Sequence, residues 1–589
     1  MAPRKHNDSV LTKAWCVCGL VVSWIAGMSA LLAGGIYLYG ELRDGNAAHI
    51  SMSDTWREVL PLGLNIFVTL LNDSMGYIHT CSLRWSLHRE GKLDFNSNLR
   101  LLTSAKRNRP NSAIPNAIYL AGIVLSYGST SLIFLSLNPQ LARLLGKDYD
   151  NADVNGVHIN SIALFTLGGG FLLQAIITNW ALAQTDIPTW SSNPLDVALA
   201  CTYEHDGHRV VRRVGRCMMG VHLTKKIPGL YKPIPRQRPM ITAHPHVRWI
   251  LALLWALPIL SGIWGGGVYA YILRDARKGV LGRSWSLLPV FTGNIDTNCR
   301  THQCTDGTSV LNVGWSASNG TAGTVGAVFL IMGFQSVVTL SLHCAELIVN
   351  LARDEKVYRA LIGPKGTNGH YNSILAACTS WRTLFLFALK AGVHWMFGLA
   401  INLQFRLGVN MQPPQIFYFA GFSLAAAVFG LLLSLWRPGG YLPPSYGHVQ
   451  TIVDIVDEWA PSGCMYWGEK DAVYPGYTGT STHPLPEPSE TRLYGGQHDG
   501  RHPGPAWASA APTELRNLSP SPTTPTVYSP GFTSLHPYHS QWAQQAHQAQ
   551  NRSSQNSLNS AYSGRSGRSG RSGYSTQSTQ PLLSGYNIG

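Results

Sequence analysis

Residues 15–39 read WCVCGLVVSWIAGMSALLAGGIYLY, twenty-five positions without a charged side chain. As a helix this run is about 37 Å long, enough to cross the hydrocarbon core of a bilayer. Arg4, Lys5 and Lys13 precede it, as in a signal peptide. The apolar region is too long for one, so the first span is expected to be an uncleaved signal anchor. Seven more such runs follow, at about 59–81, 114–137, 159–183, 249–272, 323–349, 382–404 and 414–436. The reading is an all-α integral membrane protein, a bundle of eight transmembrane helices. Four regions are expected: an N-terminal segment 1–14, the spans in 15–437, an amphipathic region 438–471 and a disordered tail 472–589.

Bulk numbers hide this division. The mean hydropathy of +0.01 averages an apolar bundle with a polar tail. The net charge of +15 suits cytoplasmic loops facing anionic lipid headgroups better than nucleic acid. Segments 1–14, 82–113, 184–248 and 350–382 carry 25 Lys and Arg, against 10 in the alternate segments. The positive-inside rule then places both termini in the cytoplasm. The expected location is the plasma membrane or another membrane of the secretory pathway.

Cysteine usage fits that orientation. Cys299 and Cys304 fall in an extracytoplasmic loop and are expected to form a short-loop disulfide. Asn319-Gly320-Thr321 on the same side is a glycosylation sequon. A zinc site built on the two cysteines and His302 lacks a fourth ligand, and the sequence calls for no metal and no cofactor.

Polar groups within hydrocarbon are costly, so they mark where helices face one another or a cavity. The second span carries Asn65, Asn72, Asp73 and His79, the sixth Gln335, His343 and Glu346, and the seventh Lys390 and His394. His343 and Glu346 share a helix face, as do Lys390 and His394. Counting helical rise puts Asp73 and Lys390 at similar depth toward the cytoplasm, so Lys390 is expected to pair with Asp73 or Glu346. Asp73, His343, Glu346, Lys390 and His394 form the candidate intramembrane cluster, either an ion relay or a structural pin between helices. Gly168–Gly170 and Gly265–Gly267 promise close helix contacts, the second with some potential for a broken helix.

On the cytoplasmic side, Leu83, Trp85 and Leu87 would extend the second helix to Gly91 along the interface, with Trp85 at headgroup level. Val449, Ile452, Val453, Val456 and Trp459 form a helical stripe after the last span, and the acidic side of that helix should dock on the basic loops. From residue 472 the chain is too poor in aliphatic residues to order itself. Its Ser-Pro and Thr-Pro sites suit a regulatory tail that meets cytoplasmic proteins. There is no Walker A loop, Gly-x-Ser-x-Gly elbow, His-Glu-x-x-His or dinucleotide fingerprint, which argues against a soluble enzyme.

Several stretches resemble a family of polytopic membrane proteins of filamentous fungi. They are Gly76–Trp85, Leu93–Arg100, Trp190–Asp196, Gly215–His222 and Gly447–Trp459. The resemblance covers roughly residues 15–470, implies the membrane class, and brings neither an activity nor a site residue. Its motifs fall mostly on the cytoplasmic side. The resulting expectation is a non-enzymatic membrane protein that organises partners there; the alternative is a transporter or channel using the second, sixth and seventh spans.

Overall fold

The computed structural model describes residues 10–44, 49–136, 156–202, 235–276, 285–288, 311–313, 320–368, 373–405, 408–456, 458–459, 464–470 and 478–488. Cys299, Cys304, Asn319, the 215–222 motif and almost all of the tail lie outside them. The chain divides into two units, Met1–Trp507 and Ala508–Gly589, and every described residue belongs to the first.

The described chain is mostly helical. Its α-helices are α1 (Val10–Asp44), α2 (Asp54–Arg89), α3 (Ala113–Thr130), α4 (Ser161–Gln184), α5 (Pro194–Ala200), α6 (Met240–Ala243), α7 (Val247–Ala276), α8 (Gly320–Arg359), α9 (Ser373–Thr379), α10 (Trp381–Ala400), α11 (Pro413–Leu435) and α12 (Val449–Ile455). Seven of them, α1, α2, α4, α7, α8, α10 and α11, are long and apolar enough to cross a membrane. The third expected span, α3, is the one that falls short, for a reason visible in its packing. It is an inner helix of 18 residues whose buried face carries Asn116, Tyr119, Ser126, Tyr127, Ser129 and Thr130. This face turns inward, where Ser126, Ser129 and Thr130 pair with side chains of α2 and α4, and its polar groups lower the apolar content that marks a span.

Around the bundle, large apolar side chains point outward, among them Trp15, Ile25, Leu32, Ile263, Phe329 and Leu432. An apolar girdle of this kind suits a hydrocarbon surround and not water. Inside, small residues set the spacing. A Cβ on Gly122 would lie 2.9 Å from the Gly170 carbonyl oxygen, and one on Gly170 would lie 2.8 Å from that of Gly122. Gly168 meets the Gly27 carbonyl of α1 in the same way, at 2.8 Å, whereas Gly169 faces open space. The Gly168–Gly170 run thus serves two crossings at once. Gly170→Leu is expected to abolish the monodisperse peak in detergent size-exclusion chromatography, while Gly169→Leu should leave it intact. The second glycine run does not break its helix: α7 is continuous, and only Gly265 is closely packed, against Ile416 and Phe417.

The structure departs from an all-α fold at the helix ends. There are nine short strands among the described residues: β1 (His49–Ser51), β2 (Phe134–Ser136), β3 (Gly156–Ile159), β4 (Leu311–Val313), β5 (Thr367–Asn368), β6 (Ile401–Gln404), β7 (Gly408–Met411), β8 (Cys464–Glu469) and β9 (Thr478–Ser481). They form three antiparallel sheets ordered β1-β3-β2, β4-β7-β6 and β5-β8-β9. Ile401-Asn-Leu-Gln404 and Gly408-Val-Asn-Met411 alternate apolar and polar residues, the pattern of a hairpin rather than a helix. The expected spans 114–137 and 382–404 therefore end early, at Thr130 and Ala400.

The sheets also reveal the direction of α1, α2, α3, α4, α8, α10 and α11. β1–β3 follow α1, precede α2, follow α3 and precede α4, so these four ends meet at one end of the bundle. The β4-β7-β6 sheet gathers the start of α8, the end of α10 and the start of α11 there too, and His158 stacks on Phe405 with centroids 3.7 Å apart. At the other end, loops 90–112, 185–202 and 235–246 close over α12 to form a collar. α3 runs between the same two ends as its neighbours.

Candidate functional site

Helices α2, α8 and α10 bring the expected intramembrane residues together. Lys390 is almost fully buried, and its Nζ donates to Asp73 Oδ1 at 2.5 Å and to Glu346 Oε1 at 2.8 Å. The sequence offered these carboxylates as alternatives; the structure gives Lys390 both. Two turns of α8 and α10 supply the register, since His343 and His394 sit one turn from Glu346 and Lys390. His343 Nδ1 lies 2.7 Å from Glu346 Oε1, and His343 Nε2 has no hydrogen-bond partner. His394 stacks on Tyr127 at 4.0 Å and 9°, and its Nδ1 is 3.1 Å from Gln335 Nε2, which also reaches the Tyr127 carbonyl.

One further charge joins this group. Arg100 folds back from the 90–112 loop until its guanidinium lies against Gly76, where a Cβ would come within 2.7 Å of Nη1. The guanidinium carbon sits 5.1 Å from the centre of the Tyr119 ring, and Nη1 has no hydrogen-bond partner. Burial alone would lower the Arg100 pKa, but Tyr119, Glu346 and Asp73 outweigh it and raise it, so the guanidinium stays charged. Two carboxylates thus face two permanent cations. Beside them lies a cavity of about 30 Å³ lined by Thr80, Ser97, Arg100, His343, Glu346 and Asn350, among others. It has room for about two water molecules.

A second polar layer packs further along α2. Asn72 donates to Ser126 at 3.1 Å, Gln174 donates to Asn72 at 3.1 Å, and Thr130 donates to Asn65 at 2.9 Å. Every one of these pairs crosses between helices, which orients α3 and α4 on α2. Gln174, an amide in the middle of an apolar run, is the signal in the sequence that α4 faces this layer.

The collar is a second site, and here the sequence reading needs most correction. Trp85 does not face outward as an interfacial anchor would: it is fully buried, with Nε1 donating to the Thr189 carbonyl at 3.2 Å. The 185–193 segment covers it. α2 ends at Arg89, and Gly91 (φ +70°) turns the chain. No helix follows directly; a 3₁₀ turn forms at Arg109–Asn111. Residues 446–459 are helical only over α12, where Val449, Ile452 and Val453 of the stripe, with Val456 just beyond, are buried against Leu83, Leu87, Leu195 and Tyr358. Glu458 accepts from Lys470 at 2.9 Å; the Asp454 side chain and Asp457, which carry the rest of the acidic face, lie outside the described residues.

Polar groups sew this second core together. Asp354, fully buried on the collar end of α8, accepts from Asn96 at 2.9 Å and Ser97 at 3.3 Å. Arg84 donates to the carbonyls of Asn96 and Ser191, each at 3.0 Å. Glu355 accepts from Arg359 at 2.8 Å and from the amides of Ser445 and Tyr446 at 2.9 and 2.7 Å. Four of the five stretches behind the family resemblance, remote in sequence, meet in or beside this network.

Histidines line its lower edge. Phe95 packs on His244 at 4.3 Å and on His448 at 5.0 Å. Burial, then the neighbouring His246, pushes the His244 pKa from its ordinary 6.5 down to about 3. The unfolded chain therefore binds a proton that the folded collar refuses, and stability present above pH 6.5 is lost progressively as pH falls toward 3. Hydrogen exchange at residues 440–456 should accelerate over that window, and His244→Phe should flatten the response.

No family model matches the chain, and neither the curated proteins nor the solved structures contain a significant match to it.

Proposed function

We propose that the protein is an eight-span membrane protein whose collar is a rigid cytoplasmic platform for partner proteins, without catalysis of its own. The observation that carries this reading is the second hydrophobic core. Four separated segments are committed to ordering one end of the bundle, with buried charges bridging them, which is far more than loops need in order to connect helices. α3 is the eighth crossing, and an even number of crossings puts both termini on the collar side. The Lys and Arg excess of that side makes it cytoplasmic and apposes it to anionic headgroups. The resemblance to fungal polytopic membrane proteins accords with this, because four of its five motifs lie in or beside the collar.

Proximity labelling from the C-terminus tests the idea. A reproducible set of cytosolic proteins, lost when the collar is disrupted by Gly447→Val, is the expected result; labelling indistinguishable from an unrelated membrane protein contradicts it.

A second reading, an ion or proton carrier, is favoured by the shared Lys390 pair. Against it, the adjoining cavity holds about two waters and is lined by neither Asp73, Lys390 nor His394. An organic substrate does not fit such a space. Proteoliposomes carrying the protein are expected to show the same pH flux as empty ones. A flux that Asp73→Asn removes would establish the carrier instead.

A further inference from the structure

The Asp73, His343 and Glu346 side chains converge in a way the platform reading does not use. One ligand atom from each lies within 4.8 Å of the other two. His343, 5% exposed, borders the water-sized cavity; its Nδ1 lies 2.7 Å from Glu346 Oε1, and its Nε2 has no hydrogen-bond partner. A buried polar nitrogen without a partner is uncommon. One nitrogen and two carboxylate oxygens form a donor set suited to zinc and its neighbours, and two waters from the cavity would complete the coordination. Atoms sharing one such ion lie about 3.3 Å apart at metal–ligand distances of about 2.1 Å. Closing the set therefore needs side-chain adjustment alone, for which the half-exposed Asp73 has freedom. What stands where the ion would sit is the Lys390 ammonium, bonded to both carboxylates.

We propose that Asp73, His343 and Glu346 form a binding site for a divalent transition-metal cation, with the Lys390 ammonium as its built-in competitor. A divalent ion neutralises both carboxylates as Lys390 and Arg100 do together, and the Arg100 guanidinium is held over Tyr119 in either case. Access runs through the cavity from the collar side, since the strands cover the opposite end. This inference stands independently of the platform and of any transport.

The test is a titration of the full-length protein in nanodiscs with Co²⁺ alone, read by its visible absorption. Wild type should bind one Co²⁺ weakly, and Lys390→Met should tighten binding by about tenfold or more, since the competitor is gone. Adding His343→Gln or Asp73→Asn to that variant should weaken binding by about 10–100-fold. Binding no tighter in Lys390→Met than in wild type, or binding indifferent to His343→Gln, overturns the proposal. Should Lys390→Met not yield folded protein, wild type decides alone. Saturable binding that His343→Gln weakens supports the site; absence of saturation up to about 1 mM Co²⁺ refutes it.

Discussion

Lys390→Met will destabilise the bundle by about 3 kcal/mol, because it strands two carboxylates that share one ammonium. The cost falls at the lower end for a broken buried pair, since the Asp73 and Glu346 side chains are 40% and 28% exposed while Lys390 is 2% exposed. A purely packing role for Lys390 would predict a loss unaffected by the carboxylates. The pairing predicts instead that Lys390→Met/Glu346→Gln recovers about 1 kcal/mol or more of that loss, a coupling expected between groups in direct contact. Thermal unfolding of the three proteins in nanodiscs measures it. A double variant no more stable than Lys390→Met contradicts the pairing.

Gly447→Ala should be as damaging, for a different reason. Gly447 has φ +74°, and a Cβ there would stand 2.6 Å from Asp354 Oδ2. The left-handed backbone costs a non-glycine residue about 1–2 kcal/mol. The collision displaces a buried carboxylate from Asn96 and Ser97, adding about 2 kcal/mol. The neighbouring Tyr446 already has positive φ (43°), held by the hydrogen bond that its backbone N–H donates to the Glu355 carboxylate, so the turn has little slack to absorb the clash. Limited proteolysis should cut the collar of Gly447→Ala while leaving the apolar helices protected. Gly439→Ala, where the added Cβ meets open space, is the matched control. Equal protease resistance in both would mean that the Asp354 network does not hold the collar.

The apolar helices were legible because hydrocarbon thickness sets a minimum run of apolar residues, and that signal is local. The Lys390 pairing was legible for a related reason: helical rise places Asp73 and Lys390 at comparable depth, with Glu346 nearer the surface, with no knowledge of the partners. The expectation was Asp73 or Glu346, and the structure uses both. What stayed hidden depends on long-range encounters. Asn96 and Asp354 are 258 positions apart, and nothing near either residue announces the other. Arg100 looked like an ordinary basic residue of a cytoplasmic loop, yet it folds inward onto Gly76. Trp85 had the composition of an interfacial anchor and is buried because a distant segment, 185–193, covers it. The strands were missed because they occupy four or so residues beyond a helix end, where an apolar run reads as a continuation of the span. α3 shows the converse: its polar face, which weakens the span signal, is what bonds it to α2, α4 and α8.

The collar loops share one side of the bilayer only if α3 crosses it together with the seven membrane-length helices. Reporter tags inserted one at a time at the N-terminus, in segment 90–112, in segment 137–155 and at the C-terminus test this directly in intact cells. Tags at the N-terminus, in 90–112 and at the C-terminus should all report the cytoplasm, and the tag in 137–155 should report the opposite compartment. If the tags in 90–112 and 137–155 report the same side, α3 does not cross, and the shared collar and its platform fall with it.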